Sequence, residues 1–339
     1  MNQKRRVLFH RSWTKFNGGT SGGQLKVRDA FEHFKSSDLF EPFVYFGPET
    51  IWFDNPGNFW LPYRDNALRK WEILPTDILF FAGHDWKILS EEDAQHPPVP
   101  VISIAQPRHT DPNDLRNKFL QYPSIRIAKS SIGKKILEEY GVNGPVYLIP
   151  DSIDFSHLPD SNPNPDLDIL IVGLKNPDLA KQLYHKLTKQ PLWGNKHSRK
   201  VAIQIPPKLP TRADFLALLN RAKIVVFLPL PAEFGSEGFY LPALEAMAMS
   251  KLVVCPYAVG NIDFCIPDVT CLQPEYNLNA LYKMACIALE MSDTDKEKMT
   301  KAAKKISENH DIQLEKKSLI KLLHQADDIW KNKSLFKNK

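Results

Sequence analysis

Ala222-Lys-Ile-Val-Val-Phe-Leu228, then Pro229-Leu-Pro-Ala-Glu-Phe-Gly-Ser-Glu-Gly238, then Phe239-Tyr-Leu-Pro-Ala-Leu-Glu-Ala-Met-Ala248 read as strand, loop and helix in direct succession. The first run is almost wholly apolar and β-branched, as a strand buried on both faces of a parallel sheet must be, and Tyr240 to Met249 predicts the helix. Open α/β sheets bind ligands outside the carboxyl ends of their strands, which is where this loop starts. It brings Glu237 and Gly238 near a helix start, whose backbone N–H groups favour a phosphate or sugar oxygen. Glu245 lies eight positions further on, a little over two helical turns, so the two carboxylates are spaced to hold opposite ends of one elongated ligand. Ionised carboxylates accept hydrogen bonds, and vicinal hydroxyls donate them. Glu245 sits in an otherwise apolar, alanine-rich helix, where a carboxylate is costly unless a ligand or donor satisfies it. Taken singly, either glutamate is also compatible with a cap or a salt bridge.

The rest of the second half repeats this grammar. Asp168-Ile-Leu-Ile-Val-Gly173 reads as a buried strand ending in glycine, Leu179 to Leu187 as a helix, Lys200 to Ile205 as a strand, Arg212 to Asn220 as a helix and Leu252-Val-Val-Cys255 as a strand. The first half opens likewise. Val7-Leu-Phe is a strand, Asn17-Gly-Gly-Thr-Ser-Gly-Gly23 a glycine loop, and Val27, Ala30, Phe31 and Phe34 mark one apolar helix face. Further strands are read at Phe43 to Phe46, Asp77 to Phe81, Val99 to Ala105 and Val146 to Pro150, with a helix from Ser131 stopped by Gly141. Alternating strands and helices predict mostly parallel sheets covered on both faces. Leu158-Pro-Asp-Ser-Asn-Pro-Asn-Pro-Asp166 is almost all turn formers and is read as the linker. The expectation is an α/β protein of two Rossmann-like domains across a cleft, residues 1–157 and 158–295, with a helical segment 296–339 packing back toward the first.

Length and composition agree with two domains: 339 residues, 43% hydrophobic and 24% charged, with no case for wholesale disorder. The net charge of +5 is concentrated at the end, where residues 296–339 carry twelve lysines against six acidic groups. That run is either a solvated helical face or a contact for phosphorylated or anionic-membrane partners. No zinc-finger spacing or RNA-binding aromatic motif accompanies it, so nucleic acid is not expected as a partner. Cys255, Cys265, Cys271 and Cys286 lack paired CxxC spacing and are read as buried free thiols. Val7-Leu-Phe is followed at once by His10-Arg11 and does not form a signal-peptide core. The expected location is the cytoplasm, with peripheral contact at the inner face of a membrane left open.

From Ala222 to Asp263 the chain resembles the donor-binding region of the family 4 glycosyltransferases and their close retaining relatives. The match rests on Glu237, Gly238, Phe239, Pro242, Glu245, Ala246, Ala248, Val253, Val254, Gly260 and Asp263. Gly18 and Gly19 resemble that family's first glycine loop, and Ala128-Lys-Ser-Ser131 with Leu148-Ile-Pro-Asp-Ser-Ile-Asp154 its end-of-first-domain segment. The resemblance implies the GT-B fold and transfer of a sugar, with retention, from a nucleoside diphosphate sugar to a hydroxyl of a glycan, lipid-linked or protein-linked acceptor. The donor, a UDP- or GDP-sugar, would be the only small molecule needed, without a metal. Carried across, Glu237 and the amides around Gly238 and Phe239 meet the donor sugar and phosphate, Glu245 holds the ribose, and His109 stands close to the transferring sugar. Gly18, Gly19 and Gly173 approach the diphosphate.

The family's arginine and lysine after the Gly173 strand are here Leu174-Lys175-Asn176-Pro177. Only Lys175 is an obvious cation, and Lys208 is a second candidate; Arg108, Lys129 and Lys15 are further substitutes. The glycine expected after the Glu245 helix is Ser250. Asp166-Leu-Asp168 has the letters of a metal-binding acidic pair but begins a strand. Two rivals share this reading: a nucleotide-sugar epimerase or hydrolase of the same architecture, and a non-catalytic carbohydrate- or nucleotide-sugar-binding protein. Trp52, Phe53, Phe59 and Trp60 either stack on a sugar chain or cover the core.

Overall fold

The computed structural model describes residues 3–15, 21–54, 57–189, 199–230 and 237–337. They fall into two compact units, Met1–Asp151 with Gln313–Lys339, and Ser152–Ile312. Gly18 and Gly19 lie outside the described residues.

In the first unit, β1 (Arg5–Arg11) is followed by α1 (Gly22–Lys35), β2 (Phe40–Phe46), β3 (Ile78–Ala82), α2 (Glu91–Gln95), β4 (Val101–Ile104), β5 (Ile125–Ala128), α3 (Ser131–Tyr140) and β6 (Val146–Leu148). The six strands pair in parallel in the order β2-β1-β3-β4-β5-β6. Val7, Leu8 and Phe9 are fully buried, and α1 lays Val27, Ala30, Phe31 and Phe34 on them. Each such large apolar side chain contributes about 1.5–3 kcal/mol. Trp60 is also fully buried, its Nε1–H donating to Gln24 Oε1 at 2.8 Å, and Trp52, Phe53 and Phe59 pack partly buried on the same core. Trp60 therefore covers the core and offers no face to a sugar.

The second unit contains β7 (Leu167–Val172), α4 (Pro177–Lys189), β8 (Val201–Gln204), α5 (Arg212–Asn220), β9 (Ala222–Phe227), α6 (Leu241–Ala248), β10 (Leu252–Val254), α7 (Leu278–Glu290) and α8 (Asp293–Ser307). Its parallel sheet runs β10-β9-β7-β8. In both units the second strand lies on one side of the first and the third on the other, so each sheet reverses direction beside its first strand, at β1/β3 and at β7/β9. Such switch points open a crevice at the carboxyl edge.

The chain passes between units at 151/152 and 312/313, against the expected 157/158 and 295/296. The turn-rich stretch 158–166 is pinned inside the second unit: Ser161 Oγ donates to Met249 O at 3.1 Å, and Asn220 Nδ2 to Asp160 O at 2.7 Å. Turn formers mark irregular backbone, which tertiary hydrogen bonds can still fix. Just inside the second unit, next to both crossings, Ile153 bridges Asp311. Beyond it α9 (Ile312–His324) and α10 (Ala326–Lys331) add Leu319, Leu322, Leu323, Ala326 and Trp330 to the first unit's core. The lysine-rich run is thus divided, with 296–305 on α8 in the second unit and 316–337 in the first.

That return also carries a charge inward. Glu315 on α9 is fully buried, with Lys26 Nζ at 2.6 Å and Lys129 Nζ at 3.5 Å. Lys26 also pairs with Asp29 at 3.0 Å, and Lys129 with Asp151 at 2.8 Å. Burial opposes the Lys26 charge, but Glu315 and Asp29 outweigh it and its pKa rises. Among the described residues, no helix is long and apolar enough to cross a membrane.

Candidate functional site

Because β7, β8 and β9 are parallel, their following loops leave from one edge of the second sheet. The turn after β7 holds Gly173 and Lys175, the segment after β8 holds Lys208 and leads to Arg212, and the connection after β9 holds Glu237 and leads into α6. A Cβ on Gly173 would overlap the Cβ of Ala180, so the missing side chain lets α4 close over the strand end. Lys175 and Lys208 are exposed. Although Lys208 is exposed as a whole residue, partial enclosure of its amine, and then the nearby Lys175 charge, lowers the Lys208 pKa, so the two ammonium groups lie within each other's electrostatic reach.

Glu237 lies just ahead of α6, half-buried, and its Oε1 accepts from Leu230 N–H at 3.1 Å. This bond ties the carboxylate to the start of the connection that follows β9. The strap behind it is braced from below. A Cβ at Gly260 would stand 2.5 Å from Phe239 N, 2.6 Å from its Cα and 2.7 Å from Glu237 O. Gly260 O also accepts from Tyr240 N–H at 3.2 Å, so that amide is already engaged. Phe239 packs its ring on Phe264 and His310. The first turn of α6 has no side-chain cap and carries Pro242.

Glu245 is fully buried on α6 among Leu244, Ala246 and Met247. The donor its burial demands comes from α5: Arg212 Nη2 pairs with Glu245 Oε1, while Oε2 is buried without a hydrogen-bond partner among the described residues. Arg212 is the residue that sequence reasoning missed. Its signal was an arginine directly after Thr211, at the start of a helix that the Thr211/Asp214 capping box defines, but nothing local tied it to Glu245. After α6, Ser250 adopts φ 59°, a left-handed conformation that glycine takes without strain and that costs a serine about 1–2 kcal/mol.

His109 is placed differently. It belongs to the first unit, in the turn after β4, and is buried; its Nδ1 accepts from Gln106 N–H at 3.3 Å, and its Nε2 has no hydrogen-bond partner among the described residues. With Trp86, Phe119 and Arg126 it lines a cavity of only about 10 Å³. Lys129 is taken up by Asp151 and Glu315, which removes it as a diphosphate substitute. Asp166 pairs with Arg221 at 2.6 Å and Asp168 with Lys223 at 2.8 Å, at the start of β7 and so at the opposite edge of the sheet. A groove of about 550 Å³ on the first unit, lined by Leu39, Lys316, Lys317, Lys321 and others, includes none of the expected site residues.

Burial, then the charges of Arg116 and Arg108, push the His109 pKa down to about 3. Burial and Lys26 push His33 down to about 4. Both folded values lie below the unfolded one, so the unfolded chain takes up these protons first. Their contribution is complete above about pH 6.5 and declines as pH falls toward the folded values, by up to about 1.4 kcal/mol per pH unit for each group. Denaturant unfolding should therefore show stability falling between pH 7 and pH 5. A flat profile over that window would mean that both rings accept protons in the folded state.

No family model matches the chain, and no curated protein matches it. Solved structures do. Sucrose-phosphate synthase from Thermosynechococcus elongatus is 12% identical, with 96% of this chain and 100% of that chain covered at a TM-score of 0.68. HepE of Anabaena, solved with UDP and glucose, is 14% identical over 94% and 99% at 0.67. A protein described as a UDP-N-acetylglucosamine 2-epimerase, from Listeria monocytogenes, is 12% identical over 96% and 97% at 0.58. Near-complete coverage of both chains at such low identity fixes the architecture: the protein has two Rossmann-like units of the GT-B type.

Proposed function

We propose that the protein is a glycosyltransferase that moves a sugar from a nucleoside diphosphate sugar to a hydroxyl of a glycan, lipid-linked or protein-linked acceptor, with retention. The observation that carries this reading is the convergence of Lys175, Lys208, Glu237 and the Arg212-held Glu245 on the carboxyl edge of one sheet, around its β7/β9 switch point. Cations suit a diphosphate, and carboxylates suit hydroxyls at either end of it. In the proposed assignment Glu245 accepts from the nucleotide ribose, Lys175 and Lys208 meet the diphosphate, and Glu237 with the Gly238–Phe239 backbone meets the sugar. The bond between the sugar's anomeric carbon and the phosphate oxygen breaks, and a bond to the acceptor oxygen forms on the same face. The acceptor's proton leaves with the nucleoside diphosphate, whose growing charge the two lysines offset.

The buried ring of His109 suits holding the 106–110 turn, and the proposal gives it that positioning role. Gly18 and Gly19 keep their assignment to the diphosphate as sequence expectations. UDP stands first among donor nucleotides to try because HepE of Anabaena was solved with it. The lysine-rich run is divided between units, and membrane contact has no part in the reaction proposed.

Incubation of the pure protein with a panel of UDP- and GDP-sugars tests the reading. Slow release of nucleoside diphosphate from one donor, accelerated by an acceptor, supports transfer. An epimerised sugar nucleotide would replace it with the reaction named for the Listeria neighbour, and binding without turnover would leave a carrier of the same ligand. Glu245→Ala is expected to weaken nucleoside diphosphate binding by about tenfold or more, the scale of a lost hydrogen bond to a charged group. Calorimetry giving an unchanged Kd would remove Glu245 from the ribose.

A further inference from the structure

The two oxygens of Glu245 are used unequally. Oε1 is paired with Arg212, whereas Oε2, on a side chain with 1% exposure, is buried with no hydrogen-bond partner among the described residues. A buried charged oxygen left unsatisfied carries its full desolvation cost, and native structures keep few of them. Arg212 is the first residue of α5, after Thr211 closes a capping box with Asp214, so its backbone is fixed at the same edge of the sheet from which α6 starts. Its side chain keeps 31% exposure, so its charge is partly solvated while its Nη2 reaches inward.

We propose that Arg212 is the positioning residue that makes this site selective for ribonucleotides: by holding Oε1 it fixes the carboxylate plane and reserves Oε2 for a ribose hydroxyl. The inference deepens the assignment of Glu245 to the nucleotide and depends on it. A carboxylate free to rotate would offer either oxygen or turn to another donor. The contact from Arg212 Nη2 to Oε1 restricts its orientation before the ligand arrives, so less ordering is left to the binding step. A site built to receive a hydroxyl rejects an analogue lacking it, because the buried acceptor is then left unpaired.

The test measures Kd by calorimetry for UDP or GDP, whichever the wild-type protein binds, for its 2′-deoxy and 3′-deoxy counterparts, and for the uncharged nucleoside. The proteins are wild type, Arg212→Ala, Arg212→Lys and Arg212→Gln, each checked for folding by thermal melting; the last two carry the test if the alanine variant does not fold. Wild type should prefer the ribonucleotide over at least one deoxy form by about tenfold or more. Arg212→Ala should compress that ratio to about twofold or threefold, with little change for the deoxy form itself, and lysine should restore part of it. An Arg212→Ala protein with the wild-type ratio overturns the proposal. So does equal weakening of ribo- and deoxyribonucleoside diphosphates with the nucleoside unaffected, which would put Arg212 on the phosphates. A wild-type protein that binds no nucleotide removes the proposed function as well, whereas one that binds with an Arg212-independent ratio removes this inference alone.

Discussion

Glu237→Gln is expected to lower the transfer rate by about a hundredfold or more, the cost of losing one preorganised electrostatic contact to the reacting sugar, while nucleoside diphosphate affinity stays within about threefold. Glutamine is the informative replacement because its carbonyl can still accept from Leu230 N–H, the bond that anchors Glu237 to the connection just after β9. The strap over Gly260 is then undisturbed, and only the charge is lost. Loss of kcat without loss of binding identifies an interaction made chiefly in the transition state. Comparing kcat with the Kd for nucleoside diphosphate decides it, and equal losses in both would move Glu237 from the sugar to the nucleotide.

Glu315→Ala should cost the folded protein about 3–5 kcal/mol, because it removes one partner from a buried ion cluster and leaves the others in place. Lys26 would retain Asp29, and Lys129 would retain Asp151, but the carboxylate that both lysines share would be gone from a site with no exposure. A loss of that size is a large share of the stability of an ordinary domain. Urea unfolding of the full chain measures it; a change below about 1 kcal/mol would show that water or a shifted proton already compensates the lysines. A second variant, Lys26→Met with Glu315→Leu, should recover part of the loss, since an apolar pair of similar volume has no desolvation to repay.

Local pattern carried much of the architecture. The apolar runs at 169–172 and 224–228 read as strands buried on both faces of a parallel sheet, and the 3.6-residue recurrence of Val27, Ala30, Phe31 and Phe34 predicts the helix that covers β1. The loop after β9 and the glutamate in an alanine-rich helix were legible for the same reason: periodicity, turn chemistry and the cost of a buried charge are properties of short stretches.

What required the tertiary structure is everything that joins distant stretches. Arg212 and Glu245 are 33 positions apart and on different helices, and Lys175 meets the field of Lys208 only because β7 and β8 are neighbours. The crossovers at 151/152 and 312/313 were hidden because a turn-rich segment pinned by Asn220 and Met249 has the composition of a linker. Sequence by itself determined which elements form and which side chains need partners, since both follow from local geometry and desolvation. Only the folded chain decided which partners they receive, since that depends on which strand ends and helix starts the sheet order brings to one edge.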